Sequence, residues 1–366
     1  MHGAIAGAVA GRRSAVLIKH VVQRWDLDKT YLATDTESLR SLLRIPFERA
    51  QDKKALPGVA ALIKELRRSA AARGRSTSVN FVTASPPQIG RAIREKLLLD
   101  GIEIDEIRFK NQIQHLVRGR FDALREHVGF KLSELLQSAR AGRRDGVEYL
   151  FGDDWESDAL IYSMYADALE RRLDWPTLEA LLEKAGVQEG GYRHAIRDAL
   201  GAPGPRRRVR AIGILRARPR AAADFDGFGR RLVWFDNYLE CAFILHAIGE
   251  LEARSIAEIA VASGADEAAV AQAFESVATR WPWLTREHLS FARRELVGSG
   301  VMAAVLPGSP WRRLRTRWRV ARGLPPAPFD DAGKAGPDEV MPDYDGLVAL
   351  WSHRARKERE AAGEQD

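Results

Sequence analysis

His20-Val21-Val22-Gln23-Arg24-Trp25-Asp26-Leu27-Asp28-Lys29-Thr30 decides the fold. Residues 20–25 carry a valine pair and a tryptophan and predict a strand. The run stops abruptly at two aspartates one leucine apart, residues that strands disfavour.

Working outward, short apolar runs keep alternating with helical periods, the pattern of a parallel sheet flanked by helices. A helix is expected over 59–73, opened by Pro57-Gly58 and closed near Gly74. A second strand follows at 79–82, a helix at 88–99 ended by Asp100-Gly101, and a third strand at 104–109. The pattern continues with a helix at 132–141, a strand at 147–151 running into Gly152-Asp153-Asp154, a helix at 157–172 and a fifth strand at 209–215.

Past Arg230 no strand pattern is visible. Leu232, Phe235, Leu239, Phe243 and Ala247 recur at steps of three and four, which predicts helix. The spacing therefore predicts an α/β domain over residues 1–220, in which 31–57 serves as a flap or minimal cap. An all-helical appendage follows over 221–300, with Trp281-Pro282-Trp283 marking a turn. Residues 301–366 hold a basic amphipathic helix (312–322), a Pro/Gly linker (323–345) and a charged terminal helix (347–362).

Each chemical candidate follows a predicted strand or opens a helix. Asp26 and Asp28 follow the first strand, Thr83 and Ser85 the second, and Asp153, Asp154 and Asp158 the fourth; Lys131 is expected at the start of a helix. In a parallel sheet all strand C-termini share one edge, so these distant residues converge. Together they form a kit for phosphoryl transfer. A carboxylate can attack phosphorus and form an acyl-phosphate that water later cleaves. The remaining work is positioning and charge neutralisation. Asp26, the Asp28 carbonyl and Asp153 suit Mg²⁺, which prefers hard oxygen ligands, while Asp154 is a further candidate to share the metal. Thr83 or Ser85, with Lys131, would hold the non-bridging oxygens, and Asp28 would act as general acid and base.

The order Asp26-x-Asp28-x-Thr30, Thr83/Ser85, Lys131, Gly152-Asp153 through Asp158 resembles the haloacid-dehalogenase superfamily. More narrowly, five segments are similar to the catalytic domain of the actin-patch-associated phosphatidate phosphatases and their bacterial relatives. These are residues 26–32, Phe81-Val82-Thr83-Ala84-Ser85-Pro86, Phe130-Lys131-Leu132, residues 152–162 and the strand 209–216. The resemblance covers roughly residues 15–218. It implies a Rossmann-like fold, Mg²⁺ dependence and phosphomonoester hydrolysis through a phospho-aspartate on Asp26. Asp28 would be the acid/base, Thr83 and Lys131 the phosphate holders, Asp153 a metal ligand and Asp158 its neighbour in the metal site. The second motif departs from the family's usual Ser-Asn-Ser-Pro. Phosphatidate or a related lipid phosphate is the substrate that the resemblance implies, with a soluble metabolite or phosphoprotein as the second enzyme reading. A non-catalytic scaffold that binds a partner through its helical C-terminal region is the reading from another class.

Composition narrows the setting. With 45% hydrophobic and 29% charged residues the chain is expected to be an ordinary globular protein. One cysteine, Cys241, rules out an internal disulfide and a cysteine zinc cage and fits a reducing cytoplasm; its apolar neighbours suggest a buried filler. The Ala/Gly run at 3–11 precedes Arg12-Arg13, the reverse of a secretory signal's charge order. A net charge of +7 favours anionic partners without choosing among them. Residues 311–322 place Trp311, Leu314 and Trp318 on one helical face and six arginines on the rest. Such a helix either lies on an anionic membrane surface or packs on the body of the protein. Nucleic acid is disfavoured, because no helix-turn-helix in the helical region carries an obvious basic recognition face. Arg216, at the end of the fifth strand, either binds a second anionic group of the substrate or makes a surface ion pair, and Arg206-Arg207-Arg208 is expected to be solvated.

Overall fold

The computed structural model describes residues 19–33, 54–110, 123–142, 145–155, 157–188, 190–201, 207–218, 220–281, 297–298 and 341–361. Six strands form one sheet: β1 (His20–Asp26), β2 (Ser76–Thr83), β3 (Glu106–Phe109), β4 (Gly146–Asp153), β5 (Arg207–Leu215) and β6 (Leu232–Phe235). They lie in the order β3-β2-β1-β4-β5-β6, and every neighbouring pair is parallel. The chain leaves β1 toward β2 on one side, whereas β4 pairs with β1 on the other. The strand order thus reverses between β1 and β4, and a doubly wound sheet opens a crevice at such a point.

Helices cover both faces. On one lie α1 (Val59–Ala72), α2 (Gly90–Leu99), α7 (Tyr238–Ala247), α8 (Ala253–Ser263) and α9 (Glu267–Arg280). On the other lie α3 (Ala123–Ala141), α4 (Asp158–Leu169), α5 (Trp175–Lys184), α6 (Gly191–Gly201) and α10 (Tyr344–Ala361). The period-two pleat sorts strand residues between the two cores. Val21, Trp25, Val79, Phe81, Tyr149, Phe151 and Phe235 serve the first. Val82, Leu150, Ile212, Ile214 and Trp234 serve the second. At the sheet's centre the rings of Trp25 and Phe151 stack with centroids 3.9 Å apart.

The observed α/β class, the parallel sheet and its five expected strands agree with the sequence pattern. The absence of strand expected beyond Arg230 is overturned, because Leu232–Phe235 is a sixth strand. All four of its residues are buried, so it presents a short continuous apolar run, which periodicity cannot distinguish from helix. The helices that follow it, α7–α9, share one apolar cluster with β1, β2, β4 and α1. Two further expectations are corrected. Lys131 lies inside α3 rather than at a helix start. Arg207 is buried rather than solvated, and it pairs with Glu148 at 3.0 Å alongside the fully buried Arg24.

Cys241 is buried, as expected. The flap expected at 31–57 lies mostly outside the described residues. Its two ends pair antiparallel through Leu32 and Ala55. The basic helix at 312–322 and most of the linker also lie outside. No helix among the described residues is long and apolar enough to cross a membrane.

Candidate metal centre at the strand edge

The register brings the candidates to one level. Trp25 on β1 is aligned with Phe81 on β2 and with Phe151 on β4. Asp26, one residue on, therefore stands beside the ends of both neighbours, where Thr83 closes β2 and Asp153 closes β4. This is the crevice opened by the reversal of strand order.

Asp26, Asp153 and Asp158 each offer a carboxylate oxygen to a cluster whose members lie within 4.8 Å of one another, and all three are buried. Buried carboxylates repel one another and lose hydration, so the cluster requires cations. One is built in. Lys131 Nζ lies 2.8 Å from Asp26 Oδ1 and 2.6 Å from Asp158 Oδ1, with its side chain fully buried. Lys131 thus meets two of the three carboxylates directly. The donor set is all hard oxygen, which suits a hard divalent ion. This buried triad is able to hold a metal ion.

Hydrogen bonds fix both oxygens of Asp153. Thr30 Oγ1 donates to Asp153 Oδ2 at 3.0 Å, and the Trp155 amide donates to Asp153 Oδ1 at 2.7 Å. Gly152 is required by the close approach of Asp158: a Cβ there would stand 2.3 Å from Asp158 Oδ2. Asp28 lies on the side facing β2. Its Oδ2 accepts from both Thr83 Oγ1 (3.0 Å) and Ser85 Oγ (2.8 Å), while the Ser85 amide donates to Thr83 Oγ1 (2.9 Å). The choice between Thr83 and Ser85 thus becomes a pair, both addressed to Asp28. Two neutral phenols border the carboxylates. Burial, reinforced by neighbouring Asp158, pushes Tyr162 well above its usual range. Burial likewise raises Tyr238, whose hydroxyl donates to the Thr30 carbonyl.

Asp154 does not join the triad. Its Oδ1 accepts from the amides of Ala217 (2.8 Å) and Arg218 (3.0 Å), and Arg220 Nε lies 3.4 Å from Oδ2. Burial raises its carboxyl above the usual value despite these donors. Its role is to anchor the loop after β5. Arg216 makes the ion pair that was one of its two expected roles, with Nε 2.7 Å from Asp236 Oδ1 and the guanidinium 4.6 Å from the Trp234 ring centre. A groove of about 700 Å³ beside it is lined by Leu56, Arg216, Asp236, Tyr238, Glu240 and Gln272, among others. Two of its lining carboxylates, Asp236 and Glu240, pair with Arg280 at 2.8 and 2.7 Å.

Three half-buried residues on the neighbouring loops had no role in the sequence pattern: Lys29, Trp155 and Arg218. Lys29 adopts a left-handed backbone with φ 59°, which costs a side-chain-bearing residue roughly 1–2 kcal/mol. Its Nζ lies 3.1 Å from the Trp155 ring centre, and Arg218 Cζ lies 3.8 Å from the same ring. The proximity of Lys29 to Asp28 and of Trp155 to Asp153 in the chain was the available signal.

No family model, curated protein or solved structure matches this chain.

Proposed function

We propose that this protein is a Mg²⁺-dependent phosphomonoester hydrolase that works through a phospho-aspartate on Asp26. The observation that carries the proposal is the buried Asp26–Asp153–Asp158 triad bridged by Lys131 at the β1/β4 crevice. Asp28 stands beside it, held by two hydroxyls.

Asp26, Asp153 and Asp158, with the backbone of Asp28, would hold the metal, which when bound neutralises charge on the transferring phosphoryl group. Asp26 attacks phosphorus. Lys131 screens the repulsion between that carboxylate and an anionic substrate. Asp28 gives a proton to the leaving alcohol, then takes one from the water that cleaves the aspartyl-phosphate. Thr83 and Ser85 orient Asp28 and lie close enough to it to donate to phosphoryl oxygens in turn.

The resemblance to phosphatidate phosphatases supports a lipid phosphate, phosphatidate or a relative, as substrate, and a cytoplasmic enzyme that works at a membrane surface. Residues 311–322 are the candidate contact with anionic lipid. Soluble sugar and nucleotide phosphates form the comparison set.

The test is phosphate release from an aryl phosphate. Release with Mg²⁺, its loss with EDTA, and its loss in a folded Asp26→Asn variant are the expected results. Absence of metal-dependent release from every aryl, lipid and sugar phosphate tried would overturn the proposal and favour the scaffold. Activity confined to soluble phosphates would end the lipid reading alone.

A further inference from the structure

We infer that the groove between α7 and α9 holds the organic group of the substrate, and that it selects phosphomonoesters of an uncharged, apolar alcohol. The inference rests on the phosphatase reading and names the part of the chain that sets its substrate class.

The groove begins at the strand edge that carries the carboxylates. Its lining includes Leu215, the residue of β5 paired in register with Asp153 of β4. Neighbouring strands lie about 4.8 Å apart, so the groove starts one strand spacing from the backbone of a triad member. The Asp154 amide donates to the Leu215 carbonyl at 3.1 Å. Two further lining residues bind the loop that follows Asp28. The Tyr238 hydroxyl donates to the Thr30 carbonyl, and the Leu56 amide donates to the Tyr31 carbonyl at 2.8 Å. A group esterified to a phosphoryl at Asp26 can therefore extend into the groove. Another wall is α9, where Ala269, Gln272, Ala273 and Ser276 stand at steps of three and four on one face. That face runs for about 10 Å.

The lining decides what fits. Each charged side chain on it, Arg216, Asp236 and Glu240, is already matched. Arg216 pairs with Asp236 at 2.7 Å, and Arg280 holds the other oxygen of Asp236 and one oxygen of Glu240. Both guanidiniums also lie over the Trp234 ring, 4.6 and 4.0 Å from its centre. A charged substituent would compete with partners already in place, so the wall suits a neutral occupant. Its polar groups are largely committed too. Asn237 Oδ1 accepts from the Glu240 amide at 3.0 Å, Ser263 Oγ donates to the Ile259 carbonyl at 2.7 Å, and Ser276 Oγ accepts from Arg280 at 2.9 Å. Leu56, Pro57, Leu239, Ala265, Ala269 and Ala273 supply apolar surface. A hydroxyl-rich group buried there would lose its hydration without new partners, whereas each methylene gains by leaving water. The groove's volume of about 700 Å³ lies in the range of sites for one small molecule.

The experiment measures kcat/KM of the full chain at fixed Mg²⁺ across straight-chain alkyl phosphates from ethyl to hexyl, kept below micelle-forming concentrations. A methylene buried in full is worth about fourfold, and one in an open groove about twofold, so hexyl phosphate should exceed ethyl phosphate by about tenfold or more. Propyl phosphate should exceed glycerol phosphate, which has the same carbon skeleton, by about fivefold or more. Ala269→Phe, which fills the groove, and Gln272→Glu, which charges its wall at nearly constant shape, should each reduce the hexyl-to-ethyl ratio to about threefold or less. A flat series in the wild type, the result expected if other parts of this chain fill the groove, overturns the inference. So does an unchanged ratio in both variants, or glycerol phosphate ahead of propyl phosphate. Should the wild type release phosphate from no ester, the phosphatase reading falls, and fluorescence titration with uncharged phenylnaphthylamine then decides the groove. Saturable binding weakened about fivefold or more in Ala269→Phe supports an apolar site, and unchanged or absent binding removes it.

Discussion

Lys131→Met removes a cation built into the carboxylate cluster and leaves the side-chain volume nearly unchanged. The structure sets the scale. Lys131 Nζ contacts Asp26 at 2.8 Å and Asp158 at 2.6 Å, and neither side chain nor the lysine reaches solvent appreciably. Removing one partner of a buried ion pair typically costs about 3–5 kcal/mol, because the other charge is stranded. Here two carboxylates are stranded beside a third. At roughly 2–4 °C per kcal/mol for a mid-sized domain, and less for a longer chain, the metal-free variant should melt about 6–10 °C below wild type. The cluster then lacks the ammonium that meets two of its carboxylates, so an external divalent ion gains more by binding. Mg²⁺ at about a hundred times its dissociation constant would return roughly 2.7 kcal/mol. Differential scanning fluorimetry with EDTA and with a Mg²⁺ series measures both quantities without relying on turnover. The expected outcome is a large deficit without metal that shrinks as Mg²⁺ rises, with a bigger Mg²⁺-induced shift in the variant than in wild type. An equal melting temperature with EDTA, or no Mg²⁺ response in either protein, would refute the view of these aspartates as a charge-frustrated cation site.

Gly152→Ala places a Cβ 2.3 Å from Asp158 Oδ2 and 2.7 Å from its Cβ. Asp158 must move, so stability should fall by about 1–3 kcal/mol and phosphate release by more than about tenfold, measured by chemical denaturation and turnover. Glu148 gives a pH signature. Burial alone would raise its carboxyl, but the Arg24 guanidinium at 2.7 Å, with Arg207, holds it below the usual 4.5. A depressed carboxylate contributes stability that is present above the unfolded value and lost as pH falls through the folded one. Glu148→Gln should therefore be less stable by about 3–5 kcal/mol at neutral pH, and the gap should narrow below about pH 4.5 in urea titrations. A gap that stays constant through the acid limb would show that Glu148 is not titrating in this way.

Much of the fold was visible because its signals are local. A valine pair ending in Asp26, or the run from Val147 to Phe151 ending in Gly152-Asp153, announces a strand and its C-terminus within a few residues. Once the sheet is parallel, convergence of the strand ends follows from topology, and Asp26, Asp153 and Asp158 do gather. What stayed hidden depends on partners distant in sequence. Arg24 reads as a polar interruption of β1 until Glu148, 124 residues away, and Ser138 are seen to satisfy it. Arg207 sits in a basic triplet that looks solvated, yet it closes the same cluster. Asp153 was the expected partner of Asp26 and joins it, but the part played by its neighbour Asp154 was not legible. The turn at the end of β4 decides it, sending one carboxylate to Thr30 and the other to the amides of Ala217 and Arg218.

That division has a consequence for the later part of the chain. Residues beyond Arg216 supply no carboxylate to the triad, yet two contacts couple them to it. The Tyr238 hydroxyl at the start of α7 donates to the carbonyl of Thr30, the residue that holds Asp153 from the β1 side. Arg220 donates to the Asp154 carbonyl at 2.9 Å and lies 4.8 Å from the ring centre of Trp351 on α10. The same Trp351 packs edge-on against Phe228. The loops after β1 and β4 are therefore braced from opposite sides of the sheet, the first by α7 through Tyr238 and the second by Arg220, which rests on α10. A carboxylate site needs such clamping, because repulsion among Asp26, Asp153 and Asp158 would otherwise spread the strand ends apart whenever no cation holds them. The helices beyond Arg216 thus brace the loops that carry the carboxylate cluster.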